Sequence, residues 1–210
     1  GLCGSAVTSC GRVDMLRSIS SLCIRIPHAI PGVAGETAAA LCPDGHAVST
    51  LILSPPGAGK TTLLRDLIRI LSDGAPGIRP HRVALADERG EIAAMCGGLP
   101  QNDVGTHTDV MDLCPKAQAV LMLLRAMNPE VVAVDEITAP EDAQALLAAA
   151  GCGAALLATA HGTDVRLLLR REPFRGLFAA GVFARVVTIS VHGGRRIYTV
   201  EPMPEGDAEC

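Results

Sequence analysis

Residues 48–71 read VSTLILSPPGAGKTTLLRDLIRIL, and this stretch decides the fold. Val48 to Leu53 is a short apolar run with β-branched members, the signature of a buried strand. It is followed at once by Ser54-Pro55-Pro56-Gly57-Ala58-Gly59-Lys60-Thr61. From about Lys60 to Leu71, the residues Leu63, Leu64, Leu67, Ile68 and Leu71 recur at helical spacing on one face. A strand, a glycine-rich turn and a helix in immediate succession form a phosphate cradle: the turn's amides point inward and the helix adds its positive dipole end. Gly57 and Gly59 let the backbone approach an anion closely. Lys60 is placed to reach phosphate oxygens, and Thr61, with Thr62 behind it, to offer a hydroxyl to Mg²⁺. The first position of this pattern is usually glycine; here it is Ser54, with Pro55 and Pro56 stiffening the turn.

Outward from that unit, strands and helices alternate. Arg82 to Ala86, Glu130 to Val134 and Ala154 to Thr159 read as further buried strands. Helices are expected from Pro115 to about Met127 and from Pro140 to about Ala150. A helical piece follows, then two strands at about Ala184–Val191 and Arg195–Val200, with His192-Gly193-Gly194 as a hairpin turn. This alternation predicts an α/β fold with a mainly parallel sheet flanked by helices and a C-terminal hairpin. Gly90 to Cys114 reads as a long loop rich in Gly, Asn, Asp and Thr. Leu22, Ile24 and Ile26 give a short strand signal, and Pro27, Pro31, Gly32 and Gly35 a connection. Three parts are expected: a remnant and linker at 1–34, the core at 35–201, and a frayed tail at 202–210. The chain opens on Gly1, which reads as a processed or partial product.

Ligands of such sheets sit beyond the carboxyl ends of the strands. Four clusters fall there: Ser54–Thr61, Asp87–Arg89, Asp135–Glu136 and His161. Asp135 ends an apolar strand and can hold a Mg²⁺ hydration shell. Glu136 beside it can orient or deprotonate a water. Asp87-Glu88-Arg89 reads either as a salt-bridged turn or as a second carboxylate facing a terminal phosphate. His161 can sense that phosphate by hydrogen bonding. Arg125, near the end of its helix, either compensates the helix dipole or neutralises phosphate charge in its own or a neighbouring subunit.

Composition narrows the alternatives. With 18 basic and 22 acidic residues the net charge is −4, no footprint for tight nonspecific nucleic-acid binding. Aromatics make up 2 %, too few for a base-stacking platform. None of the eight cysteines forms a C-x-x-C pair, and reduced thiols are expected. The uncharged run from Ala143 to Ala160 reads as a helix, a glycine stop and a strand rather than a membrane span.

SPPGAGKTTLLRDL, ALADERGEIAA, GLPQNDVGTHTDVMDLCPKAQAVLMLLRAMNPEVVAVDEI and ATAHG together resemble the stage III sporulation protein AA family, P-loop ATPases of endospore-forming bacteria. The resemblance covers residues 1–200. It extends to the type II and type IV secretion ATPases, whose P-loop, acidic, magnesium-site and histidine boxes occur in this order. It implies a RecA-like P-loop core that binds ATP and Mg²⁺. Lys60 and Thr61 then match the P-loop, Glu88 the acidic box, Asp135 and Glu136 the magnesium-site box, and His161 the histidine box. Arg125 falls where those ATPases carry an Arg before a Pro-acid pair, here Pro129-Glu130. Two departures stand out. Thr138-Ala139-Pro140 replace the family's Gly-Arg pair, and only the end of its N-terminal domain is matched.

The expectation is therefore an ATP-hydrolysing subunit that energises a secretion-type channel between mother cell and forespore. The resemblance implies a hexamer on the cytoplasmic, mother-cell side, peripheral to the membrane and working with membrane-embedded channel proteins. Its alternatives are a nucleotide-gated structural subunit with little turnover and a nucleic-acid motor; the acidic balance weighs against the latter.

Overall fold

The computed structural model describes residues 1–24 and 30–204. Ile26 and Pro27 of the expected strand and linker, and most of the expected 202–210 tail, lie outside them. The chain opens with an antiparallel hairpin, β1 (Leu2–Ser9) and β2 (Arg12–Leu22), turning at Cys10-Gly11 with φ of 50° and 76°. The sequence signal at Leu22–Ile26 touches only its end, because Gly, Ser and Cys dilute the apolar alternation of both strands.

The central sheet has seven strands: β3 (Thr50–Ser54), β4 (Val83–Asp87), β7 (Thr108–Asp112), β8 (Val131–Val134), β9 (Ala155–His161), β10 (Arg185–His192) and β11 (Arg195–Pro202). Their spatial order is β11-β10-β3-β9-β8-β4-β7. All neighbours are parallel except the β10–β11 hairpin, in register from Arg185 opposite Pro202 to His192 opposite Arg195. β9 thus lies between the glycine-turn strand β3 and the Asp135 strand β8.

Successive strand residues point to opposite faces, and both faces are covered. On one face Ile52, Leu85, Ala133, Leu157 and Val187 meet α1 (Gly35–Leu41) and α2 (Lys60–Asp73). α2 seats Leu63, Leu64, Leu67 and Ile68 with no exposure at all. Each such side chain contributes about 1.5–3 kcal/mol of gross burial free energy. On the other face Leu51, Leu53, Ala84, Val132, Leu156 and Val186 meet α3 (Lys116–Met127), α4 (Pro140–Gly151), α5 (Val165–Leu169) and α6 (Phe174–Ala179). The alanine-rich run is the buried side of α4 plus β9. Among the described residues no helix is long and apolar enough to cross a membrane.

One expectation is corrected and one helix is added. The expected loop at Gly90–Cys114 contains a ribbon, β5 (Met95–Cys96) with β6 (Leu99–Pro100), and the edge strand β7. β7 pairs with β4 alone and is only half-buried, so Asp109 and Asp112 interrupt the pattern that marks an interior strand. α1 begins at Gly35, where the expected connection ends, and no sequence signal announced it. Its start is tied by the backbone N–H of Ala34, which donates to Asp66 Oδ2 at 2.8 Å. That anchor lies 32 residues away and leaves no local trace.

Candidate nucleotide site at the carboxyl edge of the sheet

β3 runs straight into the glycine turn. Ser54 is its last residue, 1 % exposed, with its hydroxyl donating to the Pro55 carbonyl at 3.0 Å. Left-handed backbone falls on Gly57 (φ 76°) and Gly59 (φ 105°), and Ser54 is not among the positive-φ residues. Serine at that position therefore carries no backbone strain. Gly59 caps α2, and Thr61 and Thr62 stand half-buried in the helix's first turn.

Lys60 folds back over the turn. Its Nζ donates to the carbonyls of Ser54 (3.1 Å) and Pro55 (3.3 Å) and to His161 Nδ1 at 2.8 Å. An ammonium can only donate, so Nδ1 accepts and the ring proton sits on Nε2. Nε2 lies 3.1 Å from Glu136 Oε2. A continuous chain thus joins Lys60 at the start of α2, His161 at the end of β9 and Glu136 just beyond β8. Burial lowers the pKa of Lys60, an effect opposed by the charges of Glu136 and Asp135. Asp135 accepts at Oδ1 from the Thr159 hydroxyl at 3.1 Å; its second oxygen has no protein donor among the described residues. One threonine hydroxyl and one carboxylate suit Mg²⁺, which takes few protein oxygens and completes its shell with water and phosphate.

The acidic cluster divides. Asp87, 1 % exposed, is a structural acceptor: its two oxygens receive the amides of Glu91 (3.0 Å), Ile92 (3.2 and 3.1 Å) and Ala93 (2.9 Å). From the other side Arg65 of α2 donates to the carbonyls of Ile92 and Glu91, both at 2.7 Å. Residues 91–93 are thereby clamped to the helix that follows the turn. Glu88 is the exposed member and lies 3.5 Å from Lys116 Nζ. Lys116, 5 % exposed, also donates to the Glu136 carbonyl and lies 3.5 Å from Asp142. Asp142 in turn accepts the amides of Thr138 and Ala139, which orders the segment after Glu136.

The structure thus brings together Ser54–Thr61, Glu88, Asp135, Glu136 and His161 at one edge. Arg125 is not brought there. It is exposed in the last turn of α3, about 14 Å of helical rise from Lys116, toward the amino ends of the strands. Sequence reasoning missed Lys116 and Arg65. A lysine at a helix start and an arginine inside an apolar stripe are signals only when their burial is known.

The family described as "Sporulation stage III, protein AA" matches residues 1–200. The stage III sporulation protein AA of Bacillus subtilis (strain 168) is 40 % identical over 190 residues, 90 % of this chain and 62 % of that protein. The chain therefore spans less than two-thirds of that relative's length. The uncharacterized protein ycf45 of Porphyra purpurea is 34 % identical over 131 residues, 61 % of this chain and 22 % of that one. Solved structures with the same fold include the ATPase DotB of Legionella pneumophila (TM-score 0.57, 18 % identity, 84 % of this chain and 50 % of that one). The pilus retraction motor PilT with bound ADP is another (TM-score 0.59, 16 % identity, 99 % and 64 %). The chain therefore shares its fold with these two ATPases. With residues 1–200 matched by the family and 90 % of its own length 40 % identical to a relative, the chain belongs to the sporulation stage III protein AA family.

Proposed function

We propose that this chain binds ATP with Mg²⁺ and hydrolyses it, as the energy-converting subunit of a secretion-type channel in endospore formation. The observation that carries the reading is the Lys60–His161–Glu136 chain at the mouth of the glycine turn. Lys60 at present holds two carbonyls and a ring nitrogen, the kinds of acceptor that phosphate oxygens replace. Glu136 is positioned to orient water for attack on the terminal phosphorus and to take its proton as the phosphoanhydride bond breaks. Thr61 and Asp135 would hold Mg²⁺, which neutralises phosphate charge when bound. A phosphate that captures Lys60 frees His161 Nδ1, so the ring reports occupancy to Glu136. Glu88, held by Lys116, adds a second carboxylate at the rim.

Assembly into a ring, a hexamer by family resemblance, would bring an arginine from a neighbouring subunit. Arg125, at the far edge of its own sheet, can act only in that way. Membrane-embedded channel proteins on the mother-cell side are the partners this reading implies.

The test is direct. Lys60→Ala should abolish nucleotide binding in equilibrium titration. Glu136→Gln should retain binding and lose phosphate release by two to four orders of magnitude, the range ascribed to a positioned base (about 10²–10⁴). Hydrolysis by Glu136→Gln at the parental rate would remove Glu136 from the mechanism. Parental binding with no measurable release would leave a nucleotide-gated structural subunit.

A further inference from the structure

The reacting side of the turn is one-sided. Asp135 and Glu136 follow β8 and His161 ends β9, all on one flank of β3. A terminal phosphate drawn to them leaves the remainder of a nucleotide to depart on the other flank, toward β10 and β11. A groove of about 420 Å³ opens there, between residues 32–37 and β11. That lies within the range of about 300–1,000 Å³ usual for small-molecule sites.

Three residues of β11 alternate along this groove: Arg196, Tyr198 and Val200. Arg196 joins the groove to the turn, its Nε donating to the Ala58 carbonyl at 2.8 Å. It also lies so close to Gly59 that a Cβ there would stand 2.8 Å from its Nε. Tyr198 and Val200 are half-buried against the core and present a firm apolar floor. Val33 and the exposed carboxylate of Glu36 form the opposite wall. Tyr198 is the chain's single tyrosine.

We infer that this groove is the nucleoside subsite: Tyr198, Val200 and Val33 take the base, Glu36 the ribose hydroxyls, and Arg196 the junction to the phosphates. The inference rests on the nucleotide reading above and extends it to residues outside every sequence box. The flat apolar floor favours base contact by area rather than by hydrogen-bond readout. A carboxylate that accepts from a ribose diol distinguishes ribose from deoxyribose.

Calorimetric titration of the 210-residue chain with ADP and, separately, with inorganic triphosphate in Mg²⁺ tests it. The groove predicts that Tyr198→Ala and Val33→Trp weaken ADP about fivefold or more, as expected for a lost or blocked aromatic contact, while triphosphate affinity stays within about twofold. Glu36→Gln should weaken ADP more than 2′-deoxy-ADP, which keeps only the 3′-hydroxyl of the diol. Val33→Trp fills the groove without removing a core group, so the test survives if Tyr198→Ala fails to fold. Unchanged ADP affinity in the folded variants, or equal losses for ADP and triphosphate, would overturn the subsite. A parental chain that binds triphosphate but ADP no better would overturn the groove and leave the phosphate cradle standing. A parental chain that binds neither would overturn both.

Discussion

Replacing Asp87 with asparagine is a sharp test of how the acidic segment is built. The carboxylate is 1 % exposed and serves three amides, two of them on the fully buried residues Ile92 and Ala93. Oδ1 serves Glu91 and Ile92, whereas Oδ2 serves Ile92 and Ala93. Asparagine keeps one accepting oxygen and turns the other position into a donor. One amide, of Glu91 or Ala93, then loses its partner and faces another N–H, and Ile92 keeps a single acceptor. An unsatisfied buried donor costs about 1–3 kcal/mol, and loss of a charged acceptor falls at the upper end, so the variant should lose about 2–3 kcal/mol. For a chain of this size that lowers the melting temperature by about 4–12 °C. Circular dichroism melting measures the shift, and hydrogen exchange at Ile92 and Ala93 locates it. Arg65→Met releases the carbonyls of the same segment, so the two losses should be non-additive. If the Asp87→Asn protein melts within about 1 °C of the parent, with Ile92 and Ala93 still protected, the clamp is refuted.

Three further outcomes follow from the geometry. His81 accepts the Ala47 amide at Nε2 and bonds the Leu71 carbonyl at Nδ1; burial first, then the charge of Arg79, lowers its pKa below 6.5. The stability it contributes is complete above pH 6.5 and is lost as pH falls through the lower folded value, so denaturation midpoints of His81→Gln should depend less on pH in that window than the parent's. Glu130, hydrogen-bonded by Arg79 and by the Arg82 amide, has its pKa lowered from 4.5 to about 2. Its contribution is present above pH 4.5 and lost toward pH 2, and Arg79→Ala should reduce acid resistance in urea titrations at about pH 3–4. Gly105 has φ 83°, and a Cβ there would stand 2.5 Å from Ser72 Cβ and 3.0 Å from the Arg69 carbonyl. Gly105→Ala should cost about 2–4 kcal/mol from left-handed strain plus overpacking, whereas Gly97→Ala, in open space at φ 58°, should show the strain alone when both are melted.

The parts legible in the sequence are those with local periodicity or local chemistry. β3, the glycine turn and α2 announce themselves because an apolar run, two left-handed glycines and a helical stripe are contiguous. β8 with Asp135 and Glu136 is equally plain. β7 and α1 were hidden for opposite reasons: one is an edge strand whose polar residues face solvent, the other a short helix held by a distant carboxylate. Within the site, His161 could be placed at a strand end but not aimed. Its bonds to Lys60 and Glu136 depend on β9 lying between β3 and β8.

The sequence by itself determined the α/β alternation, the glycine turn between β3 and α2 and the roll of candidate carboxylates, because backbone propensity and side-chain period act over a few neighbouring residues. Tertiary structure alone decided their surroundings. Asp87 and Glu88 are adjacent in the chain, yet one is sealed under a loop and the other stands at the rim, since alternation along a strand end sends neighbours to opposite environments. Arg125 reads as a partner for the site until the length of α3 carries it to the far edge. Lys116 and Arg196 carried no motif and proved to touch the site directly, because burial and strand order, set by packing across the whole sheet, fix which charges meet.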